Sequence, residues 1–377
     1  MSRSSLEEKD VDLKLRTMRY LWHMGYFVRR NVDLVRYVGQ RREAEYTDID
    51  VLGIAFDETF EKKVVICDCK TGASASNPER ILILGGLVRS LGAHMGLFIR
   101  NQITEYMYTE FAEKINVRTI SASQLGILEQ CLGVNTNAFF GSFSPDQEKV
   151  TLSFDLLKKF NKQAFEYLTV QNWLDPPHQR ILTLASHCNA LKSSNLFSDD
   201  ARAFLLGCSL SLLGLAMLEF STNSLYVKEE QREEFVKQSL VGGRLSFYER
   251  KELLGAFYDF MVKEIETRYN QKYPVPKRAF VDYVVPSYAK YIADLVSRLC
   301  ADPKSATYMP RIIDLIAHER ILYRKEVSLK QVGIFDDNQA RAAIAPASDL
   351  ITFAARADLL DVVSKDKFDE ALGELER

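Results

Sequence analysis

Two neighbouring stretches, Thr47-Asp48-Ile49-Asp50-Val51-Leu52-Gly53 and Val64-Val65-Ile66-Cys67-Asp68-Cys69-Lys70-Thr71-Gly72, read as β-strands that carry charges inside otherwise apolar runs. Strand side chains alternate faces, so Asp48, Asp50 and Leu52 share one face of the first strand, and Asp68 and Lys70 one face of the second. Ile49, Val51, Cys67 and Cys69 then point the other way, into a core. The connection from Asp57 to Lys62 is short and polar, and a hairpin folded symmetrically about Thr59 sets Asp50 opposite Asp68. A slip of one residue would exchange the faces. Directly opposed residues have Cβ atoms roughly 5 Å apart, near enough for two carboxylates to share one small divalent cation. Without a cation or a proton, like charges at that spacing cost stability, which is the physical argument for a metal. Asp48 lies on the same face as a further acid, a ligand or a supporting residue.

The elements around this hairpin fix the fold class. Residues 6–24 have helical periodicity through Val11, Leu15, Met18, Leu21 and Trp22, with Gly25 as the stop. Residues 26–37 are strand-like, residues 39–45 turn the chain, and the motif strands run over 46–56 and 63–70. Asn77-Pro78 opens a helix reaching about residue 93. A short strand over 96–100, a helix over 104–116 and a strand over 117–120 imply parallel crossovers beside the hairpin, hence a mixed sheet flanked by helices. From residue 150 onward the pattern is helical, broken at Asp175-Pro176-Pro177, Gly242-Gly243, Pro274-Val275-Pro276 and Asp302-Pro303. The expected organisation is an α/β domain over 1–133, a linker over 134–149 and a mainly α-helical domain over 150–377.

The order helix, strand, Asp-containing strand and Asp-x-Lys strand resembles the PD-(D/E)XK nuclease superfamily, in particular its restriction-endonuclease-like, Mrr-type and Holliday-junction-resolvase-like branches. Asp-Ile-Asp-Val-Leu-Gly followed by Ile-Cys-Asp-Cys-Lys looks like that branch's motif pair, and the likeness covers the first third of the chain. The resemblance implies a restriction-endonuclease-like fold and a cytoplasmic, Mg²⁺- or Mn²⁺-dependent endonuclease acting on DNA, in defence against foreign DNA or in DNA processing. It implies that Asp50, Asp68 and the Cys69 backbone carbonyl bind the metal and that Lys70 positions or activates the attacking water. One departure matters. Members of the branch often carry a glutamate on the first helix where this chain has Lys14; Asp10 and Glu7 lie one and two turns earlier as substitutes. The departure favours the alternative, a catalytically inactive nuclease-fold protein serving as a nucleic-acid-binding or assembly scaffold.

Near-zero net charge gives no global nucleic-acid signature, but Lys14, Arg16, Arg19, Arg29, Arg30, Arg36, Arg41 and Arg42 cluster where acids are few. Arg29, Arg30, Arg41 and Arg42, with Arg80 and Arg89 on the helix after the Asp-x-Lys strand, are the expected phosphate contacts. The six cysteines have neither C-x-x-C nor zinc-finger spacing and read as buried thiols of a reducing compartment. No apolar leader is expected at the N-terminus, and the apolar run over 203–218 is short for a membrane span and reads as a buried helix, so no membrane partner is expected. The helical domain suits a protein partner or a homo-oligomer. Arg89 to His94 has the R-x4-H spacing of HEPN-type ribonucleases, a different enzyme class, but no second helix-based element accompanies it. Phosphate-loop signatures are absent, and the histidines form neither a metal pair nor a catalytic triad order.

Overall fold

The computed structural model describes residues 10–38, 41–72, 77–102, 106–329 and 337–375, with the backbone alone for 36–38, 41–46, 77, 106–107 and 337–339. Helix α1 (Val11–His23) is followed by β1 (Phe27–Val38), β2 (Arg41–Phe56) and β3 (Lys62–Lys70). Then come α2 (Asn77–Ser90), β4 (Met95–Arg100), α3 (Tyr106–Glu113), β5 (Val117–Ser121) and α4 (Ala122–Cys131). The five strands form one sheet in sequence order; β1, β2 and β3 pair antiparallel, and β3, β4 and β5 pair parallel. This is the expected mixed sheet flanked by helices. Gly25, at φ +96°, ends α1 where a side chain would be strained.

The β2–β3 register runs from Phe56↔Lys62 to Val51↔Cys67, centred on Thr59 as the turn symmetry requires. Asp57 builds that turn: its Oδ1 accepts hydrogen bonds from the Thr59 amide and hydroxyl and from the Glu61 amide. Burial opposes ionisation, but these donors outweigh it and pull the carboxyl down to about 2. β1 and β2 pair much further than the sequence pattern suggested, out to Val38↔Arg41, so the expected turn over 39–45 is mostly strand.

The rest of the described chain is helical and is built round the helix Asp199–Ser221. Of that helix only Asp199, Asp200, Arg202 and Glu219 are not buried, so its apolar length is satisfied by protein, as expected of a core helix. Gly207 permits a close crossing: a Cβ there would meet the Ala317 Cβ at 2.6 Å. The stretch expected as a linker carries Phe140 and Phe143, which are buried: Phe140 meets Trp22 edge-on at 4.9 Å, Phe143 lies 6.0 Å from Trp22, and the two phenylalanine rings are 4.6 Å apart. Polar bonds join the two halves as well. Arg311 donates to the Trp22 carbonyl at 3.0 Å, the Gly141 amide donates to Glu319 at 2.7 Å, and Thr222 donates to the Phe60 carbonyl at 3.0 Å. Four cysteines are buried, but Cys131 is exposed and Cys300 half-buried, a correction to the expectation that all six are interior.

Candidate active site

The β2–β3 ladder stops at Val51↔Cys67, and the same register carried one step on sets Asp50 against Asp68. There the strands no longer exchange backbone bonds. Instead the Cys69 amide donates to Asp50 Oδ2 at 2.9 Å, so the side chain takes over a strand donor that would otherwise be orphaned in the core. Lys70 Nζ lies 3.0 Å from Asp50 Oδ2 and 3.2 Å from Oδ1. Asp68 is gripped by Arg80 from the first turn of α2, with Nε at 2.7 Å and Nη2 at 3.1 Å from its two oxygens. Asp48, Asp50, Asp68, Lys70 and Arg80 line one cleft of about 80 Å³, walled on its far side by Ile83, Leu84 and Leu87 of α2. Ile49, Val51, Cys67 and Cys69 are buried on the opposite face, and the Cys69 thiol contacts Thr17 of α1 at 3.5 Å. The cleft therefore collects the acids and the lysine that strand alternation assigned to one face.

Lys14 is the residue whose role the sequence did not disclose. It sits on α1 one turn before Thr17, is only 6 % exposed, and points its ammonium into the gap between the strands, 2.9 Å from Asp50 Oδ1. Asn31 Oδ1 accepts from the same ammonium at 2.7 Å. Asn31 lies opposite Asp50 on β1 with φ +52°, interrupting the ladder between Arg30↔Val51 and Val32↔Ile49. A left-handed residue within a strand is costly and persists where its surroundings fix it. Burial raises the Asp50 pKa, but the Lys14 hydrogen bond, the Cys69 amide and the charges of Lys14 and Lys70 more than offset it and leave the carboxyl below its usual range. Asp50 is thus held ionised by two ammonium groups.

The other expected site residues separate into groups. Asp48 is exposed and lies against Asp33 of β1, at the rim. Asp10, the substitute acid considered from the sequence, accepts hydrogen bonds from the amide and hydroxyl of Thr71, tying down the end of β3. Glu7 lies outside the described residues. Arg29, expected to meet phosphate, instead pairs with buried Asp314 at 2.7 Å and lies over the Phe27 ring. Arg16 and Arg19 converge on buried Glu129 of α4, at 3.0 and 2.5 Å. Ion pairs thus hold four of the eight residues of the basic cluster, Lys14, Arg16, Arg19 and Arg29. Arg30 is half-buried, Arg89 is exposed on α2, and the side chains of Arg41 and Arg42 lie outside the described residues. Arg100, at the end of β4 beside Lys70, was not anticipated. It is buried, bonds the Gly72 carbonyl at 2.9 Å, and leaves Nε and Nη2 without partners among the described residues.

Among the described residues no group of three or more His, Cys, Asp or Glu side chains stands ready for a metal. The donors at hand are the Asp50 and Asp68 carboxylates and backbone carbonyls, an all-oxygen set that fits one hard divalent cation and no soft one. What α1 brings to Asp50 is the Lys14 ammonium. Comparison with protein-family models, curated proteins and solved structures returns no match to this chain.

Proposed function

We propose that the protein is a metal-dependent endonuclease of the PD-(D/E)XK type that hydrolyses DNA phosphodiester bonds in the cleft between β2, β3 and α2. The observation that carries this reading is the convergence of Asp50, Asp68 and Lys70 where the β2–β3 ladder opens. Asp50, Asp68 and the Cys69 carbonyl would hold one Mg²⁺ or Mn²⁺. When bound, the ion supplies polarisation of a phosphoryl oxygen and a more acidic water. Lys70, 28 % exposed at its side chain, has the freedom to leave Asp50 and orient the attacking water or offset charge at the phosphorus. Lys14 stays beside Asp50 as a fixed positive charge, holding the carboxylate ionised and aimed across the strand gap. Exposed Leu253, Phe257 and Phe260 on the helix Arg244–Tyr269 support a protein partner or a second copy for the helical half.

A second reading, a nuclease-fold scaffold that binds nucleic acid without cutting it, is favoured by one observation. The Lys14 ammonium neutralises the acid that a metal would need. The test is cleavage of plasmid, linear and branched DNA, and of RNA, with Mg²⁺ or Mn²⁺, comparing the natural chain with Asp68→Ala and Lys70→Ala. Cleavage lost in both variants supports the nuclease. Salt-sensitive binding with no cleavage by the natural chain supports the scaffold.

A further inference from the structure

Resting on the nuclease reading, we propose that Arg80 guards Asp68 in the free protein and moves to a backbone phosphate when nucleic acid docks, so that nucleic-acid binding and divalent-cation binding are coupled through this one side chain. Three cations hold Asp50 and Asp68, and they differ in their freedom to leave. Lys14 has a side chain only 7 % exposed and is tethered to Asn31 as well as Asp50. Lys70 sits on Asp50 and leaves Asp68 untouched. Arg80 alone among the described residues occupies both Asp68 oxygens, and its side chain is 34 % exposed at the mouth of the cleft.

A guanidinium fork fits a phosphate as well as it fits a carboxylate, so the exchange trades one bidentate partner for another. A cation reaching Asp68 must displace the fork; a phosphate that takes the fork releases Asp68. An arginine stays protonated beside either partner, so the trade requires no change of protonation. Coupling of this kind is reciprocal: nucleic acid raises affinity for the cation by the same factor that the cation raises affinity for nucleic acid. A part-exposed pair of this type accounts for about a fivefold effect.

The test uses the full chain and two readouts that do not depend on cleavage. Mn²⁺ binding without DNA is followed by electron paramagnetic resonance of the free ion in the natural chain, Arg80→Gln, Arg80→Ala and, as a control remote from the cleft, Lys114→Ala. DNA binding in EDTA is followed by fluorescence anisotropy over a range of salt. Expected are about fivefold tighter Mn²⁺ binding in both Arg80 variants, unchanged Mn²⁺ affinity in Lys114→Ala, and weaker metal-free DNA binding by the Arg80 variants with a salt slope shallower by about one. Arg80→Gln keeps much of the side-chain volume should Arg80→Ala fold poorly. Equal, measurable Mn²⁺ affinity in the natural chain and both Arg80 variants overturns the guard while sparing the nuclease reading, as does unchanged DNA binding. Mn²⁺ binding by none of the proteins overturns the metal reading on which the guard depends.

Discussion

Replacing Lys14 with methionine keeps the aliphatic stem and removes the ammonium that Asp50 and Asn31 share. Breaking a buried ion pair from one side costs about 3–5 kcal/mol, because the surviving charge stays desolvated. Asp50 is 6 % exposed, yet it retains Lys70 and the Cys69 amide, so part of its compensation survives. Allowing for that, Lys14→Met should cost about 2–3 kcal/mol at pH 7. The loss carries a pH signature. The folded-state pKa of Asp50 is depressed, so the stability this carboxylate contributes is present above its unfolded value, about 3.9, and is lost as pH falls through the depressed one. Below that window Asp50 is neutral in both proteins, the natural protein no longer gains from the Lys14–Asp50 charge pair, and the difference should shrink. Urea unfolding of both proteins between pH 7 and the acid limit of folding measures this. The double variant Lys14→Met/Asp50→Asn should recover part of the sum of the two single losses. A variant as stable as the natural chain at pH 7, or a deficit that does not change with pH, would refute the pairing as drawn.

Three further substitutions probe the frame that holds the cleft. Glu129→Gln strands Arg19, which is 1 % exposed, and should lower stability by about 3 kcal/mol in denaturant unfolding; a change below about 0.5 kcal/mol would place those arginines in water instead. Gly207→Ala drives a methyl against Ala317 and Phe368 and should cost about 1–3 kcal/mol, read as a lowered midpoint of thermal unfolding. Asp57→Ala removes three hydrogen bonds from the β2–β3 turn and should cost about 1 kcal/mol, discounted for the turn's exposure, with the loss vanishing in acid as Asp57 protonates near its depressed value of about 2.

Much of the cleft was legible in the sequence because it obeys local rules. Alternation put Asp50, Asp68 and Lys70 on one face, and turn symmetry about Thr59 fixed the register that joins them. The element order likewise gave the mixed sheet followed by helices. What the sequence concealed depends on distant partners. The basic character of α1 looked like a phosphate-binding surface, but Arg16 and Arg19 are neutralised by Glu129 on α4, and Arg29 by Asp314 in the helical half. No periodicity reveals such pairings. Lys14 read as a departure from a motif, whereas its long side chain carries the charge from the core face of α1 through the gap between the strands to Asp50. Asn31 gave no signal in advance beyond an amide inside a strand pattern, a residue type that tolerates the left-handed backbone found there. The stretch 134–149 read as a linker from its small and polar residues, while two of its three phenylalanines, Phe140 and Phe143, place it against Trp22.

The most direct test of phosphodiester hydrolysis at this cleft is single-turnover nicking of a supercoiled plasmid by the full chain in Mg²⁺ or Mn²⁺, compared with Asp68→Asn. That change removes one carboxylate charge with almost no change of shape. A rate that falls at least about 100-fold in the variant, with folding and DNA binding retained, is the predicted result. Equal nicking by both proteins, or none by the natural chain in either metal, would contradict it.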